Sequence, residues 1–351
     1  MVVYTVGYSA FTPEGLLAEL KRRGVEVVVD VRRFPRSKMR GFSQGELEEL
    51  LRGTGVEYLW MGELGALGVR GARAGCSQSP TFDAYVWRLY RYGPAILRLE
   101  ELNRMAAERT VAMLCKEEDW RRCHRQFIAD YLAAKGHTVV HIRKGGREEL
   151  HVPTPCYGVL QPPPVELVAK AAGDFAHLCK THSVYLFGGA LYNSGGDIDV
   201  VAYGEPTGEL PQGYDAQIIP APRPDLFHLF VTRGVLLCGK PLLVDPREAL
   251  ENELREAEVL AQYFREGAHP VLVCKAAKRL VFLAAVLKCG LWADTWQKAT
   301  QCLGDVPIIF KDCLSPPPLE EMRRHSHFVE KLVALINERR KAGALSPPGG
   351  L

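Results

Sequence analysis

The feature that most constrains this chain is the stretch "HVPTPCYGVLQPPP" at 151–164, with five prolines in fourteen residues. Proline fixes φ and removes a backbone donor, so this stretch cannot be a helix or a central strand. We read it as a semi-rigid linker that divides the chain into parts with their own cores. A chain of 351 residues is long enough for that. The expected organisation is an α/β layered domain at 1–150, the linker at 151–164, an α+β domain at 165–246 and a helical extension at 247–345. A disordered tail is expected at 346–351.

In the first part, strands and helices alternate. "VVYTVGY" reads as a strand; Thr12 then caps a helix with Pro13 at its first position, closed by Gly24. "VEVVVDV" is a nearly continuous apolar run of the kind buried on both faces of a parallel sheet. "RTVAMLC" reads as a strand, "DWRRCHRQFIADYLAAK" as one helix closed by Gly136, and "HTVVHI" as a last strand. Ligands of such sheets sit at the carboxyl ends of the strands, where Asp30 and Cys115 fall.

The second part holds "SVYLFGGALYNSGGDIDVVAYGE" at 183–205. Residues two apart in a strand share a face, so Asp197 and Asp199 would point together while Ile198 and Val200 face the core. Paired carboxylates are costly near a core unless a cation sits between them, and this pair suits Mg²⁺. Gly188 and Gly189 would let backbone N–H groups approach a phosphate. The third part is helical in pattern, from "DPREALENELREAEVLAQYFREG" through "PVLVCKAAKRLVFLAAVLKCGLW" to "PPPLEEMRRHSHFVEKLVALINERRK". His325 and His327, two apart on a helix, do not share a face and are not read as a metal pair.

Phe187-Gly188-Gly189, a loop, and Asp197-Ile198-Asp199-Val200, with Asp215 heading the next short apolar run, resemble the nucleotidyltransferase superfamily that includes polymerase β. The likeness covers about residues 165–245 and is closest to the small stand-alone prokaryotic members. It implies Mg²⁺-dependent transfer of a nucleotidyl group from an NTP to a hydroxyl, by a two-metal mechanism. Asp197 and Asp199 would hold the metal on the triphosphate, and Asp215 would help bind the metal that activates the acceptor. Gly189 stands where the family commonly has serine, and Ser194 is the candidate for the missing hydroxyl. The acceptor is open among protein, RNA and small molecule. An alternative is a nucleotide-sensing or nucleic-acid-binding protein with a degenerate transferase site.

In the first part, Gly7, Ser9, Asp30-Val31-Arg32, Pro35, Ser37, Glu63-Leu64-Gly65, Cys115, Glu117 and Cys123-His124-Arg125 resemble the family called domain of unknown function 488. That family brings no activity, so the residues must be read directly. With Asp119 as N-cap, Cys123, His124 and Arg125 would lie in the first turns of a helix, where a thiol is readily ionised. Asp30, Arg32, Cys115, Glu117, Cys123, His124 and Arg125 are thus the candidates for a second, polar pocket. They form a site for a phosphate or nucleic-acid backbone, a reactive thiol, or a structural brace of the strand ends. Cys115-x5-Arg121 matches the formal pattern of cysteine phosphatases, but the acidic "KEEDW" between would repel an anion.

Charge and cysteine usage narrow the classes. Residues 1–150 carry 24 Lys+Arg against 19 Asp+Glu, a mild excess that permits an anionic partner but is no nucleic-acid signature. There is no apolar run near 20 residues and no signal-peptide pattern at the N-terminus, which leads to the expectation of a cytoplasmic protein without membrane partners. The ten cysteines show neither a CxxC pair nor zinc-type spacing. Most are expected as small buried hydrophobes, with disulfides improbable in a reducing compartment.

Overall fold

The computed structural model describes residues 1–192 and 197–341, which fall into two compact units, Met1–Lys170 and Ala171–Leu351. Ser194 and the expected tail at 346–351 lie outside the described residues.

In chain order the first unit contains β1 (Val2–Gly7), α1 (Pro13–Arg22), β2 (Val27–Asp30), α2 (Gln44–Leu51), β3 (Glu57–Trp60), α3 (Pro80–Arg91), α4 (Gly93–Glu108), β4 (Val111–Cys115), α5 (Arg125–Ala134), β5 (Thr138–Ile142) and β6 (Glu148–Leu150). The sheet order is β3-β2-β4-β1-β5-β6; the first five strands are parallel and β6 runs antiparallel to β5. Every residue of β2 and β4 is buried, as their unbroken apolar runs require of strands covered on both faces. Val27 and Val29 join the core under α3, α4 and α5, and Val28 joins the opposite core under α1 and α2. Thr12 accepts a hydrogen bond from the Gly15 N–H and Pro13 opens α1, which gives the capped start legible in the sequence.

The segment 119–135 is not one helix. A short 3-10 turn at Trp120–Arg122 ends in extended backbone at Cys123, and α5 starts only after His124. Asp119 accepts the Arg121 N–H and so caps the short turn rather than a long helix. The cap expected for a long helix thus belongs to the short turn.

The proline-rich stretch is not a free linker either. Asp130 on α5 accepts hydrogen bonds from the Thr154 N–H and hydroxyl, Arg91 donates to the Gln161 carbonyl, and Cys156 is disulfide-bonded to Cys76. The physical reason is that prolines exclude regular structure without excluding docking: side chains between them still pack and bond. The same fastening runs through a buried line of polar groups. Thr5 Oγ1 lies 2.7 Å from His141 Nδ1, His141 Nε2 3.1 Å from His151 Nδ1, and His151 Nε2 3.0 Å from Asp130.

The second unit follows α6 (Val165–Asp174), whose residues span the boundary along the chain. Next come β7 (Ser183–Phe187), β8 (Asp199–Tyr203), β9 (Asp215–Ile219), α7 (Leu226–Thr232) and β10 (Val235–Cys238), in a mixed sheet of order β10-β7-β8-β9. Among the described residues, five helices complete the unit: α8 (Pro246–Glu266), α9 (Pro270–Cys289), α10 (Trp296–Leu303), α11 (Leu319–Arg323) and α12 (Ser326–Lys341). The α9 helix is apolar on nearly every side and accordingly central, packed by α8, α10 and α12. Leu226 and Leu229 of α7 enter the same core as Leu250, Leu254 and Leu280, and Asn252 donates to the Pro224 carbonyl. Helix α7, from the part read as 165–246, therefore shares a core with the helices of the part read as 247–345.

The cysteine expectation is corrected. Disulfides join Cys76–Cys156, Cys179–Cys238, Cys274–Cys313 and Cys289–Cys302, and only Cys115 and Cys123 are free. Partners 80, 59, 39 and 13 residues apart carry no local signature. Connectivity is set by the fold and cannot be deduced from spacing. Each closed loop removes freedom from the unfolded chain, by about 2–4 kcal/mol in typical cases. Alkylation in denaturant without reductant should label two cysteines per chain, Cys115 and Cys123, and prior reduction should expose all ten. Mass spectrometry that found label on any of the other eight without reduction would contradict the pairing.

A pH dependence also follows. Burial, and then the charge of neighbouring His151, push His141 down to about 2. The folded value lies below the unfolded value near 6.5, so this contribution is whole above pH 6.5 and is lost as pH falls toward 2. The slope is at most about 1.4 kcal/mol per pH unit. Hydrogen exchange of the β1 and β5 amides should show the first unit weakening between pH 6.5 and 4, with a shallower slope in His141→Gln. An unchanged slope in that variant would refute the assignment.

Candidate functional site

In the second unit, strand pairing sets Asp215 beside Asp199 at the start of β8, and Asp197 lies two residues ahead in the chain. Strand pairing sets Phe187 opposite Asp199 in the antiparallel β7/β8 pair and Asp199 opposite Asp215 in the parallel β8/β9 pair. The Asp215 N–H donates to the Ile198 carbonyl at 3.0 Å, so pairing reaches just ahead of the strand. The strand itself begins at Asp199, two residues later than "DIDVVAY" suggested, leaving Asp197 in the loop. Asp197 and Asp215 are exposed; Asp199 is half-buried, and Val200 beyond it is in the core.

Gly188 turns the chain beside these groups with φ +80°, and a Cβ there would stand 2.3 Å from Asp199 Oδ2. The glycine is thus required twice, by backbone conformation and by the carboxylate seated against it. Gly189 begins the short 3-10 turn Gly189–Tyr192. That turn is gripped from α10 and the segment before it: Tyr192 donates to Asp294 at 3.0 Å, and Lys298 lies 3.4 Å from the Tyr192 ring centroid while pairing with Asp294 at 2.8 Å. Lys278 on α9 donates to the Lys311 carbonyl and lies within the electrostatic reach of Asp199.

Burial first, then the negative charges of Asp215 and Asp197, push Asp199 up to about 6, against the opposing charge of Lys278. Burial lowers Lys278, and Asp199 and Asp312 oppose that shift. Tyr192, Lys278, Asp294 and Lys298 carry no signal in the sequence. Tyr192 sits in the loop of the motif itself, and its partners lie far along the chain, so no local pattern ties Lys278, Asp294 or Lys298 to the site.

The second pocket is built at the carboxyl ends of β1, β2 and β4. Asp30 is wholly buried; it accepts from Arg32 Nε at 2.8 Å, from the Arg32 N–H at 3.0 Å and from the Tyr58 hydroxyl at 2.7 Å. Arg32 also donates to the Phe42 carbonyl and lies over the Tyr8 ring. Arg125, 1% exposed, donates to the carbonyls of Val6 and Glu118. Both arginines are engaged within the protein. Glu117 is exposed and pairs with Lys116; it contributes only its carbonyl, against which Gly7 packs so closely that a Cβ would fall 1.9 Å away.

The remaining three candidates come together. Cys115 ends β4, Cys123 occupies the extended break before α5, and His124 caps α5. His124 Nδ1 lies 3.9 Å from Cys115 Sγ and 3.8 Å from Cys123 Sγ, and its Nε2 is 3.0 Å from the Val31 carbonyl. The two thiols are pushed apart in acidity. For Cys115, the hydrogen bond with Cys123 and burial raise the pKa; for Cys123, burial is outweighed by the Cys115 hydrogen bond and by the charges of His124 and Arg125, which lower it. Sequence reasoning named all three residues but placed Cys123 within a helix. The extended backbone at Cys123 is what turns its sulfur toward Cys115.

The domain of unknown function DUF488 matches residues 12–132, so the first unit carries a DUF488 domain. No family matches the second unit, and comparison with curated proteins and with solved structures gives no match. Among the described residues, no helix is long and apolar enough to cross a membrane.

The carboxylate cluster carries a stability prediction. Asp199 is raised in the folded state above the ordinary value of 3.8, so its contribution to stability is present below pH 3.8 and is lost as pH rises through 6. Discounted for its partial exposure, the cost at neutral pH is about 1–2 kcal/mol. Asp199→Asn should therefore raise the thermal midpoint of the second unit at pH 7 and leave it unchanged near pH 3.5. Equal effects at both pH values would show that repulsion is not the cause.

Proposed function

We propose that the second unit transfers a nucleotidyl group from an NTP to a hydroxyl of an acceptor, with Mg²⁺. The observation that carries this reading is the strand register that sets Asp215 beside Asp199, with Asp197 two residues ahead and the Gly188 turn against the Asp199 carboxylate.

The residues suit the ion. Burial and the charges of Asp215 and Asp197 raise the cost of ionising Asp199, and a hard divalent cation with oxygen ligands relieves that cost. Asp197 and Asp199 would hold the ion on the triphosphate, and Asp215 would help bind the ion that activates the acceptor. When bound, Mg²⁺ neutralises triphosphate charge and stabilises the entering and leaving oxygens of an in-line displacement at the α-phosphorus. Gly188 and Gly189 present backbone without side chains to the phosphates. Lys278 adds a positive charge on the side of Asp199. The Tyr192–Asp294–Lys298 cluster holds the glycine turn in place, so the helical extension acts as a positioning element for the site.

The alternative, a nucleotide-binding protein with a silent site, is favoured by one feature. The three carboxylates are not among the described residues whose ligand atoms all lie within 4.8 Å of one another. The two readings part in experiment. Calorimetric titration of the full chain with ATP, GTP, CTP and UTP in Mg²⁺ should show binding of at least one nucleotide, lost at least tenfold in the Asp197→Asn, Asp199→Asn double variant. Label from that nucleotide should then pass to an acceptor in wild type only. Binding without transfer supports the silent site; a folded wild type that binds no nucleotide sinks both.

A further inference from the structure

The cluster at the end of β4 has an arrangement that the proposed transferase chemistry does not use. Cys115, Cys123 and His124 are 6%, 3% and 8% exposed, and one ligand atom from each lies within 4.8 Å of the other two. We infer that these three side chains form a binding site for a thiophilic divalent cation of the zinc type.

Three observations converge on it. First, the spacing is that of a coordination shell. A tetrahedron with Zn–S of about 2.3 Å and Zn–N of about 2.05 Å has S···N edges of about 3.6 Å. The two Sγ···Nδ1 distances are 3.9 and 3.8 Å. An ion at the centre would draw the three groups inward by a few tenths of an ångström and would require no rearrangement of the backbone.

Second, the histidine is presented as a ligand. The Val31 carbonyl can only accept, so His124 Nε2 carries the proton that it donates there. With Nε2 so engaged, Nδ1 is the nitrogen left to face both sulfurs, and on the neutral ring it carries the lone pair that an ion would take. A backbone carbonyl that fixes the distal nitrogen of a ligating histidine is the usual outer-shell arrangement of metal sites.

Third, the sulfurs are available. All eight other cysteines are in disulfides, while these two neighbouring thiols remain unjoined. Two thiolates and a neutral imidazole balance the charge of a divalent ion, and this soft donor set selects zinc over magnesium. Three protein ligands leave the fourth position to water or to a substrate atom.

The sequence offered no zinc signature because the two cysteines are eight residues apart, with the histidine directly after the second. A contiguous Cys-His pair can ligate one ion here only because the backbone is extended at Cys123 and turns into α5 at His124.

The test uses the full chain with its disulfides intact, treated with a chelator and shown by thiol assay to carry two free cysteines. Co²⁺ is then titrated and followed by absorption, with Zn²⁺ as competitor. The expected result is one Co²⁺ per chain, with visible bands of tetrahedral cobalt and a near-ultraviolet sulfur-to-cobalt band, bleached by one equivalent of Zn²⁺. Cys115→Ser and His124→Asn should each weaken binding at least a hundredfold, and Cys115→Ser should roughly halve the sulfur-to-cobalt intensity that remains at saturation. Wild type that is folded, carries both thiols and takes up no cobalt overturns the proposal without reliance on any variant. Octahedral cobalt bands without a sulfur band overturn it as well, as does ready oxidation of Cys115 and Cys123 to a fifth disulfide in the presence of excess zinc.

Discussion

The first unit depends on how the ends of its central strands are closed. The last carbonyls of a parallel sheet point out of the core toward loops, and each needs a donor. Here consecutive residues supply two of them: Arg125 donates to Val6 in β1, and His124 to Val31, which directly follows β2. Both donors sit at the start of α5, so the helix is locked to the strand ends through its N-cap residue and its first residue. The buried Asp30–Arg32 pair and the Tyr58 hydroxyl complete the closure around β2. The Cys115/Cys123/His124 cluster is a product of this closure, since it fixes where the break before α5 must fall.

In the second unit the corresponding constraint is repulsive. Carboxylates gathered at the start of β8 and β9 raise the cost of ionising Asp199, and nothing in the sheet itself relieves it. Such a cost is tolerated when neighbours hold the arrangement in place. The neighbours here are the Gly188 turn, which no other residue fits, and the Tyr192 clamp made by Asp294 and Lys298. A helical extension that shares the core with α7 can hold that turn; a separately folded one could not hold it so firmly.

Cysteine usage shows how a composition argument fails. The absence of CxxC pairs was a sound reason to set aside local redox or zinc motifs, but it says nothing about partners far apart in the chain. Four disulfides close loops that no spacing rule would reveal, and one fastens the proline-rich stretch to α3's leading segment through Cys76. Disulfides persist in oxidising compartments and also inside cells of hyperthermophiles, so the pairing does not by itself assign a compartment.

Local physics was legible in the sequence. Unbroken apolar runs determined β2 and β4 as doubly covered strands, Thr12-Pro13 determined the start of α1, and Gly188-Gly189 with Asp197, Asp199 and Asp215 marked the carboxylate site. These depend on neighbours along the chain, where sterics, capping and strand period act. The tertiary structure alone decided the break at Cys123, the docking of 151–164, the disulfide partners, the approach of Lys278 to Asp199 and that of Asp294 and Lys298 to the glycine turn. Each of these joins groups distant in sequence, and such contacts are set by which surfaces the packed cores bring together, a quantity that no short stretch of residues contains.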